Sequence, residues 1–308
     1  MKILVCDPVH EDGIKILKDA GFRVDVKPNI SYEELKQEVA NYDVLIVRSR
    51  TKVTREIIEA GKNLKVVGRA GAGIDNIDVE AAKEKGVKVL NTPEAPATAV
   101  AELTMGLLLS LARQIPKADR TMKEEKWAKK EFKGWQLHDK TLGVIGLGHI
   151  GEKVARLAKA FGMKILITKR TPPSPEILKE LEAEFVPLEE LLRRSDIISL
   201  HVPLTPQTYH MIGEKEIQLM KDGAFIINTS RGAIIDEKAL LNALKSGKLK
   251  GAALDVYETE PPKDYSLVKM PNVICTPHIG AQTVEAQKAA STLLAQKIID
   301  HLKGQQSH

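Results

Sequence analysis

Short apolar runs alternate with amphipathic stretches through about the first ninety residues of the chain. The apolar runs predict β-strands at Lys2–Cys6, Arg23–Val26, Val44–Val47, Lys65–Arg69 and Lys88–Asn91. Between these runs, apolar residues recur at helical spacing in, for example, Glu11–Ala20, Ser31–Ala40 and Val79–Lys85. Ser31 and Glu34 have the spacing of a capping box at a helix N-terminus. Repeated strand–helix units of this kind favour an α/β fold with a parallel sheet.

A second alternation begins near residue 142. Its strands are predicted at Leu142–Ile145, Lys164–Thr168, Ile197–His201, Ala224–Thr229, Gly251–Leu254 and Val273–Thr276. Six strands suit a doubly wound sheet. The helix predicted over Thr98–Arg113 is apolar around most of its circumference, so we expect it to be buried between layers or between subunits. A further long helix is predicted over Thr283–Lys303.

A glycine motif lies between the first strand of the second region and a predicted helix. Gly146, Gly148 and Gly151 have the spacing G-x-G-x-x-G, which in this strand–turn–helix context indicates a dinucleotide site. Gly146 would permit the tight turn, Gly148 would let the main chain approach a pyrophosphate, and Gly151 would let helix and strand pack closely. The alternative interpretation is a glycine-rich turn that binds nothing.

Composition and charge narrow the class of protein. A chain of 308 residues suggests two domains. The net charge of +5 is modest, and the densest basic stretch, Thr121–Lys133, also contains acidic residues, which argues against a nucleic-acid footprint. Cys6 and Cys275 lie far apart in apolar runs, so we expect reduced thiols, with neither a disulfide nor a metal site. No apolar run approaches the roughly 20 residues of a membrane span, and we expect a cytoplasmic protein with no membrane or nucleic-acid partner.

Three polar segments follow predicted strands in the second region. Arg231 follows one strand and would offer a two-pronged donor to a carboxylate. Glu260 and His278 follow two others, and a histidine beside a carboxylate suits proton transfer near neutral pH. Each residue alone would ordinarily be structural or solvated. Their placement with a dinucleotide motif predicts a site for an anionic keto or hydroxy acid.

The chain resembles the D-2-hydroxyacid dehydrogenases, and within them the short-form D-3-phosphoglycerate dehydrogenases. The motifs that carry the resemblance are Val47–Arg50, Gly68–Asp78, Asn91–Pro93, Ala101–Thr104, Gly146–Gly151, His201–Leu204, Asn228–Gly232, Ala253–Val256, Glu260–Pro262 and Pro277–Ala281. The resemblance implies an NAD(P)-dependent oxidoreductase that oxidises D-3-phosphoglycerate to 3-phosphohydroxypyruvate, the first step of serine biosynthesis.

The resemblance also implies roles for individual residues. Arg231 would bind the substrate carboxylate and polarise its C2 oxygen, His278 would take the C2 hydroxyl proton, and Glu260 would stabilise the protonated His278. Asp255 would hold the carboxamide edge of the nicotinamide. The full set predicted to bind the cofactor is Gly146, Gly148, His149, Ile150, Gly151, Lys169, Arg170, Val202, Pro203, Thr229, Ser230, Asp255, His278, Gly280 and Ala281. The set predicted to bind the substrate is Arg48, Ser49, Arg69, Ala72, Gly73 and Arg231.

The resemblance further implies two Rossmann-like doubly wound domains. A dinucleotide-binding domain, 97–279, would be inserted into a flavodoxin-like substrate domain made of 1–96 and 280–308, with hydride transfer in the cleft between them. The glycine turn at Gly71–Gly73 would present backbone N–H groups to the substrate carboxylate. Arg48 and Arg69 would bind the substrate phosphate, together with Lys129 of the partner subunit. The alternative for Lys129 is a solvated charge on a helix. Such enzymes form homodimers around the helix near Leu107.

One position departs from the family pattern. An NAD site needs an acid about 20 residues past the glycines to hold the ribose 2′-hydroxyl. Lys169 and Arg170 stand there instead, and they would attract the 2′-phosphate of NADP. The alternative is that both side chains point to solvent and NAD binds through its pyrophosphate. Two other functions stay open: an NADPH-dependent glyoxylate or hydroxypyruvate reductase, and a dinucleotide-sensing protein that resembles the corepressors of this family.

Overall fold

The computed structural model describes residues 1–304. Two compact units divide the chain: the first is Met1–Ala97 together with the segment that begins at Ala281, and the second is Thr98–Gly280. Each unit contains one parallel sheet with helices on its faces. The predicted α/β class with two Rossmann-like sheets is therefore confirmed.

The first unit contains a five-stranded sheet. Its elements are β1 (Lys2–Val5), α1 (Glu11–Asp19), β2 (Arg23–Val26), α2 (Tyr32–Glu38), β3 (Val44–Val47), α3 (Arg55–Ala60), β4 (Val66–Arg69), α4 (Val79–Glu84) and β5 (Lys88–Asn91). The strand order is β2-β1-β3-β4-β5, which is the flavodoxin-like order. The capping box at α2 is present, with the Ser31 N–H donating to Glu34 Oε2 at 2.9 Å.

The second unit contains a seven-stranded sheet. Its elements are α5 (Ala97–Arg113), α6 (Ile115–Lys123), β6 (Thr141–Ile145), α7 (His149–Ala160), β7 (Lys164–Thr168), α8 (Pro175–Leu181), β8 (Ala183–Phe185), α9 (Leu188–Arg194), β9 (Ile197–Leu200), α10 (Glu214–Leu219), β10 (Ala224–Asn228), α11 (Glu237–Ser246), β11 (Leu249–Leu254) and β12 (Val273–Cys275). The strand order is β12-β11-β10-β9-β6-β7-β8.

The prediction of six strands in the second sheet is wrong by one. The missed strand, β8, has three residues, Ala-Glu-Phe, and pairs only with β7 at the edge of the sheet. So short a segment carries neither an apolar run nor a readable alternation. The core of a doubly wound sheet, in the order 3-2-1-4-5-6, runs here from β8 to β11, and β12 extends it by one strand.

The last helix, α12 (Val284–Gly304), belongs to the first unit. Its buried residues include Leu294 and Ile298, which pack on the sheet where Gly68 leaves room for them. Gly13 of α1 allows a still closer approach, because a Cβ there would overlap Ser291 of α12. Burial along one face of this helix therefore closes one side of the five-stranded sheet.

Helix α5 buries one face within the second unit. Ala101, Met105 and Leu108 share a core cluster with Leu142 and Val144 of β6. An exposed stripe that contains Thr98, Glu102, Gly106 and Arg113 follows the opposite face. Burial therefore covers most of the circumference of the helix, as expected, and burial of the exposed stripe between subunits stays a prediction. Across residues 1–304, no helix is both long enough and apolar enough to cross a membrane.

Candidate active site

The predicted site residues of the second unit follow the carboxyl ends of its strands. Since all the strands are parallel, those ends meet at one edge of the sheet. The glycine turn follows β6, Lys169 follows β7, and the segment that contains Val202 and Pro203 follows β9. Arg231, Glu260 and His278 follow β10, β11 and β12. Topology thus brings residues far apart in sequence to one edge.

The glycine turn has the shape of a pyrophosphate cradle. Gly146 has φ +94°, and Gly151 packs against its carbonyl so closely that any Cβ there would overlap it. Gly148 has open space where a Cβ would be, and as the N-cap of α7 it makes no side-chain cap. The N–H groups of the first turn of α7, which begins at His149, are therefore available to an anion. The turn fits a dinucleotide at the predicted positions.

The position after β7 is basic. Lys169 is half-buried, with its Nζ 3.4 Å from the Leu147 carbonyl of the glycine turn, and Arg170 is exposed. The five residues that follow Arg170 contain no acid, and Glu176 is the next one. An ammonium group thus stands after β7, where NAD sites usually provide a carboxylate.

The segment after β10 is held by the Asn228 side chain. Its Nδ2 donates to the Arg231 carbonyl at 2.9 Å, and its Oδ1 accepts from the N–H and the hydroxyl of Ser230. Thr229 is buried and pairs with Thr104 of α5, with 2.9 Å between the two hydroxyl oxygens. Neither Asn228 nor Thr104 was among the predicted site residues. Both residues do lie in motifs that carry the family resemblance, Asn228–Gly232 and Ala101–Thr104.

Glu260 and His278 form an ion pair. His278 Nδ1 lies 2.6 Å from Glu260 Oε2, and the two side chains are 45% and 37% exposed. Burial opposes ionisation of Glu260, but the hydrogen bond and charge of His278, the Tyr257 N–H and the positive charge of Arg231 together lower its pKa. The three predicted catalytic residues are thus brought into one neighbourhood. Since Nδ1 faces Glu260, Nε2 is the ring atom left to exchange a proton with a substrate.

Asp255 holds the turn that carries His278. It is buried, and its carboxylate accepts from the Thr276 hydroxyl at 2.6 Å, the Ile279 N–H at 2.8 Å and the Gly280 N–H at 2.9 Å. The His278 N–H donates to the Asp255 carbonyl at 2.8 Å, and His278 has φ +54°. Asp255 therefore helps to fix the left-handed backbone conformation of His278. Its predicted contact with the nicotinamide carboxamide stays a prediction.

His201 is a buried neutral histidine. Burial lowers its pKa to about 3, and its Nε2 lies 2.7 Å from the Ser199 hydroxyl. Its carbonyl lies where a Cβ on Gly146 would be, so it packs under the glycine turn. Such a group packs against the turn without carrying charge near neutral pH.

The predicted substrate residues of the first unit cluster after β3 and β4. Arg48 and Ser49 follow β3, and the Arg48 N–H donates to buried Asp7 at 2.6 Å. Arg69 is the last residue of β4, and its guanidinium donates to the Ala70 carbonyl. The predicted anion nest needs a correction, because the Gly71 N–H already donates to Thr92 at 3.0 Å.

The remaining N–H groups of that turn belong to Ala72 and Gly73. The Asn91 side chain fixes the turn by donating to the Ala72 carbonyl at 2.6 Å.

Two other predicted residues lie elsewhere in the chain. Ala281 is the first residue of the returning segment of the first unit, and Lys129 lies exposed in a short 3₁₀ helix of the second unit. Within residues 1–304 there is no group of three or more potential metal ligands.

Comparisons with known proteins agree with this geometry. Residues 105–280 match the family model described as D-isomer specific 2-hydroxyacid dehydrogenase, NAD binding domain. A D-3-phosphoglycerate dehydrogenase of Methanocaldococcus jannaschii is 55% identical over 99% of this chain, which spans 58% of that protein's length. A hydroxypyruvate reductase of Thermotoga maritima is 50% identical over 98% of both chains. The crystal structure of a glyoxylate reductase from Paecilomyes thermophila has a TM-score of 0.90 at 35% identity, covering 97% of this chain and 94% of its own.

Proposed function

We propose that this chain, which belongs to the D-isomer specific 2-hydroxyacid dehydrogenase family, oxidises D-3-phosphoglycerate to 3-phosphohydroxypyruvate. The observation that carries the proposal is the Glu260–His278 pair beside Arg231, at the same sheet edge as a turn that fits a dinucleotide. The 55% identity to a phosphoglycerate dehydrogenase supports the substrate. The reaction would be the first step of serine biosynthesis.

The residues divide the work of the reaction. When bound, the nicotinamide cofactor supplies the acceptor for the hydride that leaves C2. Arg231 binds the substrate carboxylate and draws electron density from the C2 oxygen. His278 accepts the C2 hydroxyl proton at Nε2, and Glu260 stabilises the imidazolium that results. In the reverse direction the same imidazolium returns the proton to the ketone oxygen.

The phosphate of the substrate needs cationic partners, and the first unit supplies candidates. We assign it to Arg48, Ser49 and Arg69, with Lys129 of the partner subunit, and we assign the carboxylate in part to the N–H groups of Ala72 and Gly73. A homodimer follows from this assignment. Sedimentation at several concentrations tests it, because a monomer at all of them would remove Lys129 from the site.

We further propose that the chain accepts NADP at least as well as NAD. A charge-assisted hydrogen bond from Lys169 to the 2′-phosphate would contribute roughly 1.5–3 kcal/mol, or about 10- to 150-fold in affinity. Titration calorimetry with NAD and NADP, on wild type and Lys169→Asp, tests the proposal without any substrate. Lys164→Asp, at the other end of β7, makes the same charge change and is the control. A large NAD preference in the wild type would sink the proposal.

The decisive assay follows nicotinamide absorbance with D-3-phosphoglycerate and each cofactor in parallel. Hydroxypyruvate and glyoxylate are then tested with the reduced cofactors. Turnover of hydroxypyruvate or glyoxylate, with none of the phosphorylated acids, would favour a glyoxylate or hydroxypyruvate reductase, an alternative that the Thermotoga maritima relative supports. Arg48→Gln refines the result: it should raise the KM for 3-phosphohydroxypyruvate and leave that for hydroxypyruvate unchanged.

A third outcome belongs to a different class of protein. Tight dinucleotide binding without turnover of any 2-hydroxy acid would indicate a dinucleotide-sensing protein. The intact Arg231, Glu260 and His278 argue against it, because a sensor needs the cofactor cradle and has no use for a proton acceptor.

A further inference from the structure

The turn that carries Glu260, residues 257–260, leaves β11 and runs over the surface. Tyr257 is half-buried, and the next three residues are exposed. Apolar packing therefore fixes only the Tyr257 end of the turn, where that ring contacts the core of the second unit. Yet Glu260 Oε2 lies 2.6 Å from His278 Nδ1, a separation that a turn free to move by an ångström would not keep. Other contacts must hold the 257–260 turn.

Two glutamates supply those contacts in a reciprocal arrangement. The Glu258 N–H donates to Glu237 Oε1 at 2.8 Å, and the Glu237 N–H donates to Glu258 Oε1 at 3.0 Å. His210 Nε2 lies 3.0 Å from the same Glu258 oxygen. These three residues, which we call the clamp, tie the turn to the start of α11 and to the segment after β9.

The clamp is not needed to begin α11. Asp236 is the N-cap of that helix, and its carboxylate accepts from the N–H groups of Lys238 and Ala239 at 3.0 Å each. Glu237 thus turns its carboxylate away from its own helix and towards the 257–260 turn. Its position beside a second carboxylate is unfavourable: burial, together with the negative charges of Glu258 and Asp264, raises the pKa of Glu237.

Gly232, the residue after Arg231, packs directly against the backbone of the 257–260 turn. A Cβ at Gly232 would overlap the backbone of Tyr257 and Glu258, so only glycine lets the turn pass directly over it. The Tyr257 hydroxyl donates to the Thr276 carbonyl at 3.0 Å, and this bond connects the turn to the segment that carries His278. The clamp adds a third set of contacts to the same turn, from the start of α11 and from His210.

We propose that Glu258, Glu237 and His210 are positioning residues, which hold the 257–260 turn so that Glu260 meets His278. None of them needs to touch the substrate or the cofactor. The proposal rests on the proposed function, in which His278 is the proton acceptor and Glu260 stabilises its protonated form. It adds a set of residues through which the pair is kept at hydrogen-bonding distance.

The test compares Glu258→Ala, Glu258→Gln and Glu237→Ala with the wild type. Glu214→Ala, an exposed glutamate in the first turn of α10, is the matched control. The first readout is the titration of His278 by NMR of protein labelled at its eight histidines, with the His278 signal assigned from a His278→Gln variant. The second is kcat, and the third is the thermal midpoint.

Loss of the clamp should make His278 easier to deprotonate. Glu258→Ala and Glu237→Ala should move the His278 titration to lower pH, towards that of Glu260→Gln, because a mobile carboxylate stabilises the imidazolium less. The rate should fall about 10- to 100-fold, as expected for a catalytic group displaced by about an ångström. Glu258→Gln keeps an acceptor oxygen and should keep most of the wild-type His278 titration and most of the wild-type rate. Glu214→Ala should match the wild type in both measurements.

A double variant separates positioning from simple stability. If Glu258 acts through Glu260, Glu258→Ala should change neither the His278 titration nor kcat further in a Glu260→Gln background. Additive effects, or a lower thermal midpoint with the His278 titration unmoved, would overturn the proposal. The NMR titration needs no substrate, so absence of turnover would count against the proposed function alone.

Discussion

Replacing Gly232 by alanine is the sharpest steric test of the catalytic arrangement. Gly232 follows Arg231 and begins a short 3₁₀ helix, and its φ is not in the left-handed region. Alanine can therefore adopt its backbone conformation. Any effect of Gly232→Ala comes from the added methyl group and its neighbours.

The size of the effect follows from the distances. The new Cβ would overlap the Tyr257 carbonyl group and the Glu258 nitrogen, whereas ordinary contacts begin at 3.4 Å, so a separation of roughly an ångström or more must be created. The neighbour is backbone, which cannot rotate away as a side chain can. If the 257–260 turn takes up that movement, the 2.6 Å bond from Glu260 to His278 is lost. We expect kcat to fall roughly 100-fold and stability to fall by about 1–3 kcal/mol.

Steady-state kinetics and urea unfolding measure the two effects on the same preparation. Gly213→Ala is the control, since its nearest neighbour would lie at an ordinary 3.4 Å and its φ is also negative. It should leave kcat unchanged and lower the free energy of unfolding by no more than about 1 kcal/mol, because alanine is a poorer N-cap than glycine. A folded Gly232→Ala protein whose kcat stays within about threefold of wild type would refute the reasoning. The position of the turn would then not depend on a glycine at residue 232.

Three further predictions follow from buried groups. Asp255→Asn replaces an acceptor that receives three hydrogen bonds and should cost about 1–3 kcal/mol in urea unfolding; an unchanged midpoint would contradict the role assigned to Asp255 in holding the His278 turn. Leu294→Ala opens a cavity between α12 and the first sheet and should cost about 2–5 kcal/mol; calorimetry would test this, with exposed Leu293→Ala as the control. Burial, chiefly, raises the pKa of the Cys6 thiol to about 12 and also raises that of Cys275, so iodoacetamide at pH 8 should modify neither until the protein unfolds; rapid labelling of Cys6 in the native protein would contradict its burial.

Much of the fold was readable from local patterns. Eleven of the twelve strands found in residues 1–304 were predicted from the sequence. The signal is clearest for central strands such as β3 and β9, because a strand buried on both faces must be apolar along its length. The one missed strand, β8, is an edge strand of three residues and has no such pattern. The glycine motif identified the dinucleotide turn because its function depends on backbone geometry, which glycine alone permits at those positions. Ser31 and Glu34 likewise identified a helix start, because a capping box joins two residues that are only three positions apart in sequence.

Tertiary structure alone decided which polar groups meet. Thr104 and Thr229 are 125 residues apart, and His210 and Glu258 are 48 apart. The reciprocal bonds between Glu237 and Glu258 join two segments that leave different strands. Local sequence patterns report burial and backbone preference within one element. Contacts between loops depend on the order of the strands and on how each crossover returns the chain to the sheet. The sequence therefore predicts Arg231, Glu260 and His278 as candidate site residues, but not the contacts that hold them in place.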